Sequence, residues 1–478
     1  MLFNSIEFLL FFVIVYALYL TLPHKWQNRF LLAASYVFYG WWDCRFVSLL
    51  LISTVVDYYC GLKIHQSDSP KKRNLLLCVS ILCNLGILGS FKYFGFFSSS
   101  VVRILALTGL HVNPLALNII LPVGISFYTF QTMSYTIDIY RKNMVPTHSF
   151  LDFALFVSFF PQLMAGPIER ARRLLPQIST QRMLERVQIK EGLFLVWWGL
   201  FKKVIIADSA ALIVNHVFSH YRTMSGLDVL LAVLAFGIQL YCDFSGYSDM
   251  ARGLGKMMGF ELMANFNIPH LASNPEDFWR RWHISLSSWM RDYVFFPLSV
   301  RSRNKTGMVL SIVTTMTILG FWHGASWTFI IWGFYYGVVQ AVYLQIKPFI
   351  KKYMQPQSPG RTLYMKLIGI VCMNTILHVS LLFFRAESLR HSWGLIKQVV
   401  SGLPATAYTG LSAMTLLFYM LPLILMQFAQ YRNNDLLILL KKKTTVRFII
   451  ITALFFYAVM VYFFRAETNV EEFIYFQF

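Results

Sequence analysis

The sequence predicts an all-α, polytopic membrane protein, and three observations indicate this class. Of the 478 residues, 57% are hydrophobic and only 13% are charged, whereas soluble domains carry about 25% charged residues. Apolar runs recur along the whole chain, and each spanning helix needs about 20 such residues, which leaves room for roughly ten to twelve spans. No Pro/Ser-rich linker divides the sequence, so residues 1–478 are predicted to form one membrane domain.

The apolar runs define the predicted spans. The run 151–168 differs, because Pro161, Gly166 and Pro167 interrupt it and basic residues flank it on both sides; this pattern predicts a bent, re-entrant element shielded by protein. The other predicted spans are 8–22, 30–42, 46–62, 74–97, 117–139, 193–218, 227–250, two short spans within 306–344, 363–384, 410–430 and 446–464.

The net charge of +20, from 42 basic and 22 acidic residues, restricts the partners. The Lys and Arg residues lie in short loops between apolar runs, which is the distribution that the positive-inside rule describes for cytoplasmic loops. We therefore expect membrane lipid, and no nucleic acid, as a partner. Such loops also attract anionic lipid or an anionic substrate such as a nucleotide thioester.

The sequence gives no sign of a metal or a resident cofactor. The six cysteines form no CxxC pair and no Cys/His cluster with the spacing of metal ligands. The chain also lacks the P-loop, HExxH and GxSxG patterns.

The stretch from Asn274 to Gly333 is predicted to be the core segment for function. Asn274 suits a helix N-cap and Pro275 the first helical position, and Asp277 can pair with Arg281 one turn later. A helix continuing to Asp292 would place its apolar side chains on one face and His283 at the border beside Trp279. The pattern fits a helix that anchors the chain at the membrane surface and carries His283 incidentally. It also fits a functional site that uses His283. The predicted apolar face consists of Phe278, Trp282, Leu286, Trp289 and Tyr293.

A second histidine, His323, lies inside the long apolar run 306–344. Two short spans are predicted to meet at 322–324. Ionisable groups at bilayer depth are rare and usually functional. A neutral imidazole in a wet cavity could accept a hydroxyl proton, and Gly324 and Ala325 would leave room for a substrate. A core histidine bonded to a neighbouring helix explains the same residue from the sequence alone.

The segment Tyr241-Cys-Asp-Phe-Ser-Gly-Tyr-Ser-Asp249 carries two acids and two serines at the predicted end of a span. Two interpretations remain open. The segment is either a helix end exposed to water or the lining of a polar cavity that contains Asp243 and Ser245.

Two motifs resemble a known signature: Phe278-Trp-Arg-Arg-Trp-His-Ile-Ser-Leu-Ser-Ser-Trp-Met-Arg-Asp-Tyr-Val294 and Phe321-Trp-His-Gly-Ala-Ser-Trp327. They are similar to motifs of the membrane-bound O-acyltransferases, in particular the bacterial branch of alginate O-acetylation proteins and peptidoglycan O-acetyltransferases. The segment Tyr241–Asp249 resembles that branch too, as do Pro122-Val-Gly-Ile-Ser-Phe-Tyr-Thr-Phe130 and the terminal Phe473-Ile-Tyr-Phe-Gln-Phe478.

The resemblance implies a helical bundle around a central funnel, with His323 at the position of the family's catalytic histidine and His283 at a second polar position of the site. Around them we expect substrate-binding residues, and Arg280 and Arg281 could attract the phosphates of a nucleotide thioester. The expected substrate-binding residues are Trp322, Trp279, Trp282, Arg280, Arg281, Asp243 and Ser245.

The resemblance further implies a membrane-bound O-acetyltransferase in the bacterial cytoplasmic (inner) membrane. It would move acetyl from cytoplasmic acetyl-CoA, its donor substrate, toward hydroxyls of an exported or cell-wall polysaccharide such as alginate or peptidoglycan. An extracytoplasmic partner resembling SGNH hydrolases would finish the delivery. The competing prediction is a transporter or flippase without covalent chemistry; a membrane scaffold would leave His323 unexplained.

Overall fold

The structure is a computed structural model, and it describes residues 1–110, 120–301, 304–353, 359–464 and 473–474. Within these ranges all regular secondary structure is helical, which confirms the all-α prediction. Contacts divide the chain into two compact units, Met1–Val196 with Met250–Met263 and Trp197–Asp249 with Ala264–Phe478. The single domain and the central funnel stay predictions. Residues 475–478 of the terminal motif lie outside the described residues.

The first unit consists of helices that are short or closely spaced. A π-helical segment, Gly89–Tyr93, joins two of them into one continuous rod. The helices are α1 (Ile6–Thr21), α2 (His24–Gly40), α3 (Val47–Gln66), α4 (Pro70–Leu88), α5 (Phe94–Leu107), α6 (Ile125–Tyr140), α7 (Phe150–Ser158), α8 (Phe160–Leu163), α9 (Ala171–Ser179) and most of α10 (Arg186–Leu200).

The second unit contains every residue that the sequence predicts for the site. Two π-helical segments, Phe201–Ala207 and Arg291–Phe295, interrupt its helices. The helices are α11 (Asp208–His220), α12 (Gly226–Met257, most of which belongs to this unit), α13 (Pro275–Arg281), α14 (Ile284–Met290), α15 (Phe296–Arg301), α16 (Lys305–His323), α17 (Trp327–Tyr353), α18 (Pro359–Arg385), α19 (Leu389–Ser401), α20 (Ala407–Asn433) and α21 (Thr444–Phe464).

Among the described residues, eight helices are long and apolar enough to cross a membrane, which confirms a polytopic membrane protein. The number is below the ten to twelve spans expected. α1, α2 and α6 have only 16, 17 and 16 residues, and the predicted span 193–218 divides among α10, a π-helical segment and α11. The eight are Cys44–Gln66, Pro70–Leu107, Gly226–Met257, Lys305–His323, Trp327–Lys352, Gly360–Arg385, Ala407–Asn433 and Thr444–Phe463.

The predicted bent element at 151–168 is interrupted, as expected. α7 ends at Ser158 and α8 begins at Phe160, and residues 153–171 are buried. Burial in protein is the condition under which such a broken backbone is tolerated at membrane depth. That the element enters and leaves on the same side stays a prediction.

A buried polar cluster joins α3, α4 and α6 in the first unit. The carboxylate of Asp57 accepts hydrogen bonds from Ser80 Oγ at 2.5 Å and from Asn84 Nδ2 at 2.7 Å. Asn84 Oδ1 in turn accepts from Thr132 Oγ1 at 3.1 Å, and Ser80 Oγ lies 2.9 Å from Thr136 Oγ1. Because a carboxyl group within a span is costly unless its polar atoms are satisfied, this network fixes the mutual positions of three helices.

In the second unit, α16 and α17 approach closely at two glycines. A Cβ on Gly333 would lie 2.3 Å from the carbonyl oxygen of Met316 and 2.9 Å from Gly320 Cα. A Cβ on Gly320 would lie 2.3 Å from the carbonyl oxygen of Phe329. Small residues let membrane helices pack backbone to backbone, and here this contact fixes the last turn of α16, which ends at His323.

We expect Gly333→Ala to destabilise the protein by about 1–3 kcal/mol, because the added methyl group must push two backbones apart. The matched control is Gly410→Ala in α20, where a Cβ would meet nothing within 4 Å. Thermal unfolding of the detergent-solubilised variants measures the difference. Equal melting temperatures for the two variants would contradict the close packing of α16 on α17.

Candidate active site

His323 is the last residue of α16, and residues 324–326 connect it to α17. The prediction that 306–344 forms two spans meeting at 322–324 is therefore confirmed. The imidazole is buried, with ring centroids 5.2 Å from Trp332 and 5.4 Å from Phe384. The expected room beside Gly324 is filled, because the absence of a side chain there lets the Phe329 ring pack against the backbone.

The helix is interrupted at His283, so the prediction of a single helix from Asn274 to Asp292 is wrong. α13 ends at Arg281 and α14 begins at Ile284, with His283 between them at a left-handed φ of 43°. The cause is a tertiary contact that the helical pattern does not contain. Ile284 N donates to the carbonyl oxygen of Asn265 at 2.9 Å, and Asn267 N donates to that of Arg281 at 3.0 Å.

This break moves His283 from the expected helix border into the interior. The side chain is 1% exposed and meets the Phe244 ring edge-on, with centroids 4.6 Å apart. A left-handed conformation is unfavourable for a residue with a Cβ and is found mainly where the surrounding structure imposes it, often at functional sites. The backbone conformation and the burial together mark His283 as a residue held in position.

The fold brings the two predicted histidines together. Their ring centroids are 6.4 Å apart at an interplanar angle of 45°. Trp322 lies beside both, with centroids 6.1 Å from His283 and 5.1 Å from His323. Burial lowers the pKa of His283 to about 3, so this imidazole is neutral at physiological pH and has one donor and one acceptor nitrogen.

Trp279 and Trp282, the other two predicted tryptophans, are both buried. Trp282 is stacked on Phe278, with centroids 5.6 Å apart, and contributes to a cavity beside His323. Trp279 packs one layer further away, against Tyr336 and Trp332. The structure therefore places Trp282 at the cavity beside His323 and Trp279 behind two residues that line it. Contact with substrate stays a prediction.

The start of α13 is capped as the sequence predicts. Asn274 Oδ1 accepts a hydrogen bond from Asp277 N at 2.9 Å, and Asp277 pairs with Arg281 at 2.8 Å. Arg280 forms an ion pair with Glu276, which also pairs with Lys347 of α17 at 2.5 Å. The Arg280 side chain is 69% exposed.

Asp243 and Ser245 do not lie at a helix end exposed to water, and that interpretation is wrong. α12 continues to Met257, and both residues are buried inside it. Asp243 pairs with Lys203 at 2.8 Å and accepts a hydrogen bond from Ile474 N at 2.7 Å. Ser245 Oγ accepts from Lys202 Nζ at 2.9 Å. The segment forms buried ion pairs, and its contact with substrate stays a prediction.

Lys202 and Lys203 were missed by the sequence reasoning. Lys203 also pairs with Asp208 at 2.9 Å, and Lys202 pairs with Asp249 at 2.8 Å. The sequence signal that could have identified them is the pair of adjacent lysines in the predicted span 193–218, because lysines at membrane depth require acidic partners.

A small cavity beside His323 was not predicted from the sequence. The sequence signal is the spacing of Trp332 and Tyr336, which are four residues apart and therefore lie on one face of a helix. The volume of the cavity is about 10 Å³, which is room for about one water molecule or methyl group. Its lining includes Trp282, His323, Trp332, Tyr336, Leu381 and Phe384.

In the part of the chain that the structure describes, no three His, Cys, Asp or Glu side chains lie where they could hold a metal ion. The chemistry available to the described site is that of two imidazoles, indole N–H groups and an apolar cavity. A neutral imidazole can take a proton from a hydroxyl group held next to it.

We expect Lys203→Met to destabilise the protein by about 3–5 kcal/mol, because it leaves the buried carboxylates of Asp243 and Asp208 without their cation. The control is Lys351→Met, which removes an exposed lysine of α17. The yield of monodisperse protein after extraction and its melting temperature measure the effect. A Lys203→Met protein as stable as the control would show that these ion pairs do not hold the unit together.

The profile of the membrane-bound O-acyltransferase family matches residues 140–384, about half of the chain. The matched range includes both histidines and the cavity. Among curated proteins, the probable alginate O-acetylase AlgI of Azotobacter vinelandii is 39% identical over 404 residues, covering 84% of this chain and 78% of the relative. The probable alginate O-acetylase AlgI of Pseudomonas aeruginosa is 37% identical over 450 residues, covering 91% and 83%.

A relative with a differently named substrate is similar over nearly the same length. The peptidoglycan O-acetyltransferase of Helicobacter pylori is 34% identical over 425 residues, covering 83% of this chain and 78% of that protein. The Trp-His motifs, the histidine pair and these similarities agree, and the chain belongs to the membrane-bound O-acyltransferase family.

Proposed function

We propose that this O-acyltransferase moves acetyl from cytoplasmic acetyl-CoA to a hydroxyl group destined for an exported or cell-wall polysaccharide. The observation that carries the proposal is the pair of buried histidines, whose ring centroids lie 6.4 Å apart. Relatives named for O-acetylation of alginate and of peptidoglycan support acetyl as the acyl group and a polysaccharide as the destination. The family assignment leaves the transporter alternative without support.

In this proposal His323 is the general base. A base must lie within about 2.6–3.2 Å of the hydroxyl oxygen from which it takes the proton. Two imidazoles that each contact one oxygen at this distance have centroids up to about 8 Å apart, and the observed 6.4 Å lies within that limit. His283, neutral and fixed by its backbone, orients that hydroxyl toward His323.

The size of the cavity supports a small acyl group. At about 10 Å³ it accommodates a methyl group, whereas a longer chain would displace side chains of Leu381 or Phe384. Tight packing resists such displacement. The geometry next to His323 therefore suits acetyl better than a long acyl chain.

The donor is proposed to approach from the cytoplasm. Glu276, Arg280 and Lys347 form one surface ion-pair group with a net positive charge. Glu276 and Arg280 lie in α13, which also carries Trp279 and is followed by Trp282. Such a group can attract the phosphates of CoA. Arg281, paired with Asp277, adds to the same surface.

The location and the partner follow from the same proposal. The chain lies in the bacterial cytoplasmic membrane, where its basic loops face the CoA pool. An extracytoplasmic partner resembling SGNH hydrolases receives the acetyl group, or the hydroxyl that accepts it belongs to the glycan itself. The relatives from alginate-acetylating and peptidoglycan-acetylating systems support an acceptor outside the cytoplasm.

We expect His323→Ala to abolish acetyl transfer, with a loss of at least about 100-fold, because general-base catalysis contributes typically 10²–10⁴-fold. Membranes of the producing cells, which contain the acceptor, are given [¹⁴C]acetyl-CoA, and release of free CoA and labelling of the cell-wall or exported glycan are measured. The control is His65→Ala, which changes an exposed histidine at the end of α3.

Both variants must be extracted in amounts similar to the unaltered protein. Normal acetylation by a well-expressed His323→Ala protein would refute the catalytic role of His323. Absence of any reaction with acetyl-CoA in the unaltered protein would refute the proposed donor.

A further inference from the structure

The indole N–H of Trp332 is buried without an acceptor. Trp332 is 4% exposed, and its Nε1 finds no hydrogen-bond partner among the described residues. Nearly all buried polar groups in proteins have such partners, and leaving one unsatisfied costs stability. An orphaned donor of this kind needs an explanation, and one explanation is an acceptor that arrives with the substrate.

Trp332 is also held beside the proposed base. It lines the same cavity as His323, and the two ring planes meet at 89° with centroids 5.2 Å apart. Tyr336 and Phe384 pack on the indole with centroids 5.0 and 5.3 Å away. The next residue, Gly333, is the point where α17 contacts α16. The backbone and the rings therefore fix the indole relative to His323.

We propose that Trp332 is a further catalytic residue, whose Nε1–H donates a hydrogen bond to the carbonyl oxygen of the acyl thioester during transfer. The inference rests on the proposed function, since it requires a thioester donor. A donor fixed where negative charge develops stabilises the transition state without reorganisation, and the effect is largest where water is excluded. The small, aromatic-lined cavity provides such an environment.

The acceptor hydroxyl oxygen forms a bond to the thioester carbonyl carbon while His323 takes the hydroxyl proton. The π electrons of the carbonyl move onto its oxygen, which becomes the oxyanion that Trp332 Nε1–H stabilises. The carbonyl then re-forms, the carbon–sulfur bond breaks, and the departing CoA thiolate receives the proton from His323. The products are the O-acetyl ester and CoA.

The test replaces the indole by groups that lack the N–H. Trp332→Phe removes the donor and part of the ring, and incorporation of 3-benzothienylalanine at position 332 exchanges N–H for sulfur while keeping the shape. The matched control is Trp198→Phe, which alters another buried tryptophan of the second unit, packed on Phe201. Turnover of acetyl-CoA is measured in membranes of the producing cells, which contain the acceptor, and gives kcat and KM for each full-length variant once its amount in the membranes is known.

We expect both changes at position 332 to lower kcat about 10²- to 10³-fold, with KM for acetyl-CoA nearly unchanged, while Trp198→Phe keeps kcat close to that of the unaltered protein. A benzothienylalanine protein with kcat within about threefold of the unaltered protein would overturn the inference, even if Trp332→Phe folds poorly. The activity of the unaltered protein distinguishes a failure of the proposed function from a failure of the role assigned to Trp332. Its failure to turn over acetyl-CoA overturns the proposed function, whereas normal turnover with an insensitive position 332 overturns the role of Trp332 alone.

Discussion

The contact between α16 and α17 at Gly320 and Gly333 is the constraint on which the rest of the site depends. It is a backbone contact, so it leaves little freedom for either helix to slide or rotate. His323 is three residues after Gly320, and Trp332 directly precedes Gly333. One close approach therefore sets the distance between an ionisable ring and the indole beside it, and fixes the cavity that both rings line.

The second histidine reaches the site by a different route. α12 carries Phe244, which packs on His283, and the neighbouring Asp243 is bound to Lys203 inside the same unit. Buried ion pairs contribute little net stability, but breaking one is costly, so they can restrict a helix to one position. The backbone at His283 is left-handed, and its ring centroid lies 6.4 Å from that of His323. Burial keeps His283 neutral, which suits it for orienting a hydroxyl rather than for binding an anion.

The sequence predicted those features of the site that depend on neighbours within one helix. The N-cap at Asn274, the pair of Asp277 with Arg281 and the junction of two spans after Trp322 follow from local spacing, and the structure contains all three. The family resemblance added the pairing of His283 with His323, which spacing alone left open.

The features that failed depend on contacts between segments far apart in sequence. Nothing in the helical period reveals that Asn265 binds the backbone at Ile284 and so ends α13 early. In the same way, Asp243 is buried because it pairs with Lys203, forty residues earlier. The residues next to Asp243 in the sequence do not indicate this burial. Some helices are shorter than a full span because caps and turns end them, and the hydrophobicity of the sequence does not predict where these caps and turns occur.

In the proposed mechanism His283 and His323 act on one hydroxyl group as a single unit. The most direct measurement is a double-mutant cycle on kcat/KM for acetyl-CoA, with His283→Gln, His323→Gln and the double variant. Residues that act as a unit are strongly non-additive, so the double variant should lose no more activity than His323→Gln alone. Losses that multiply would show that the two histidines work independently and would contradict the account.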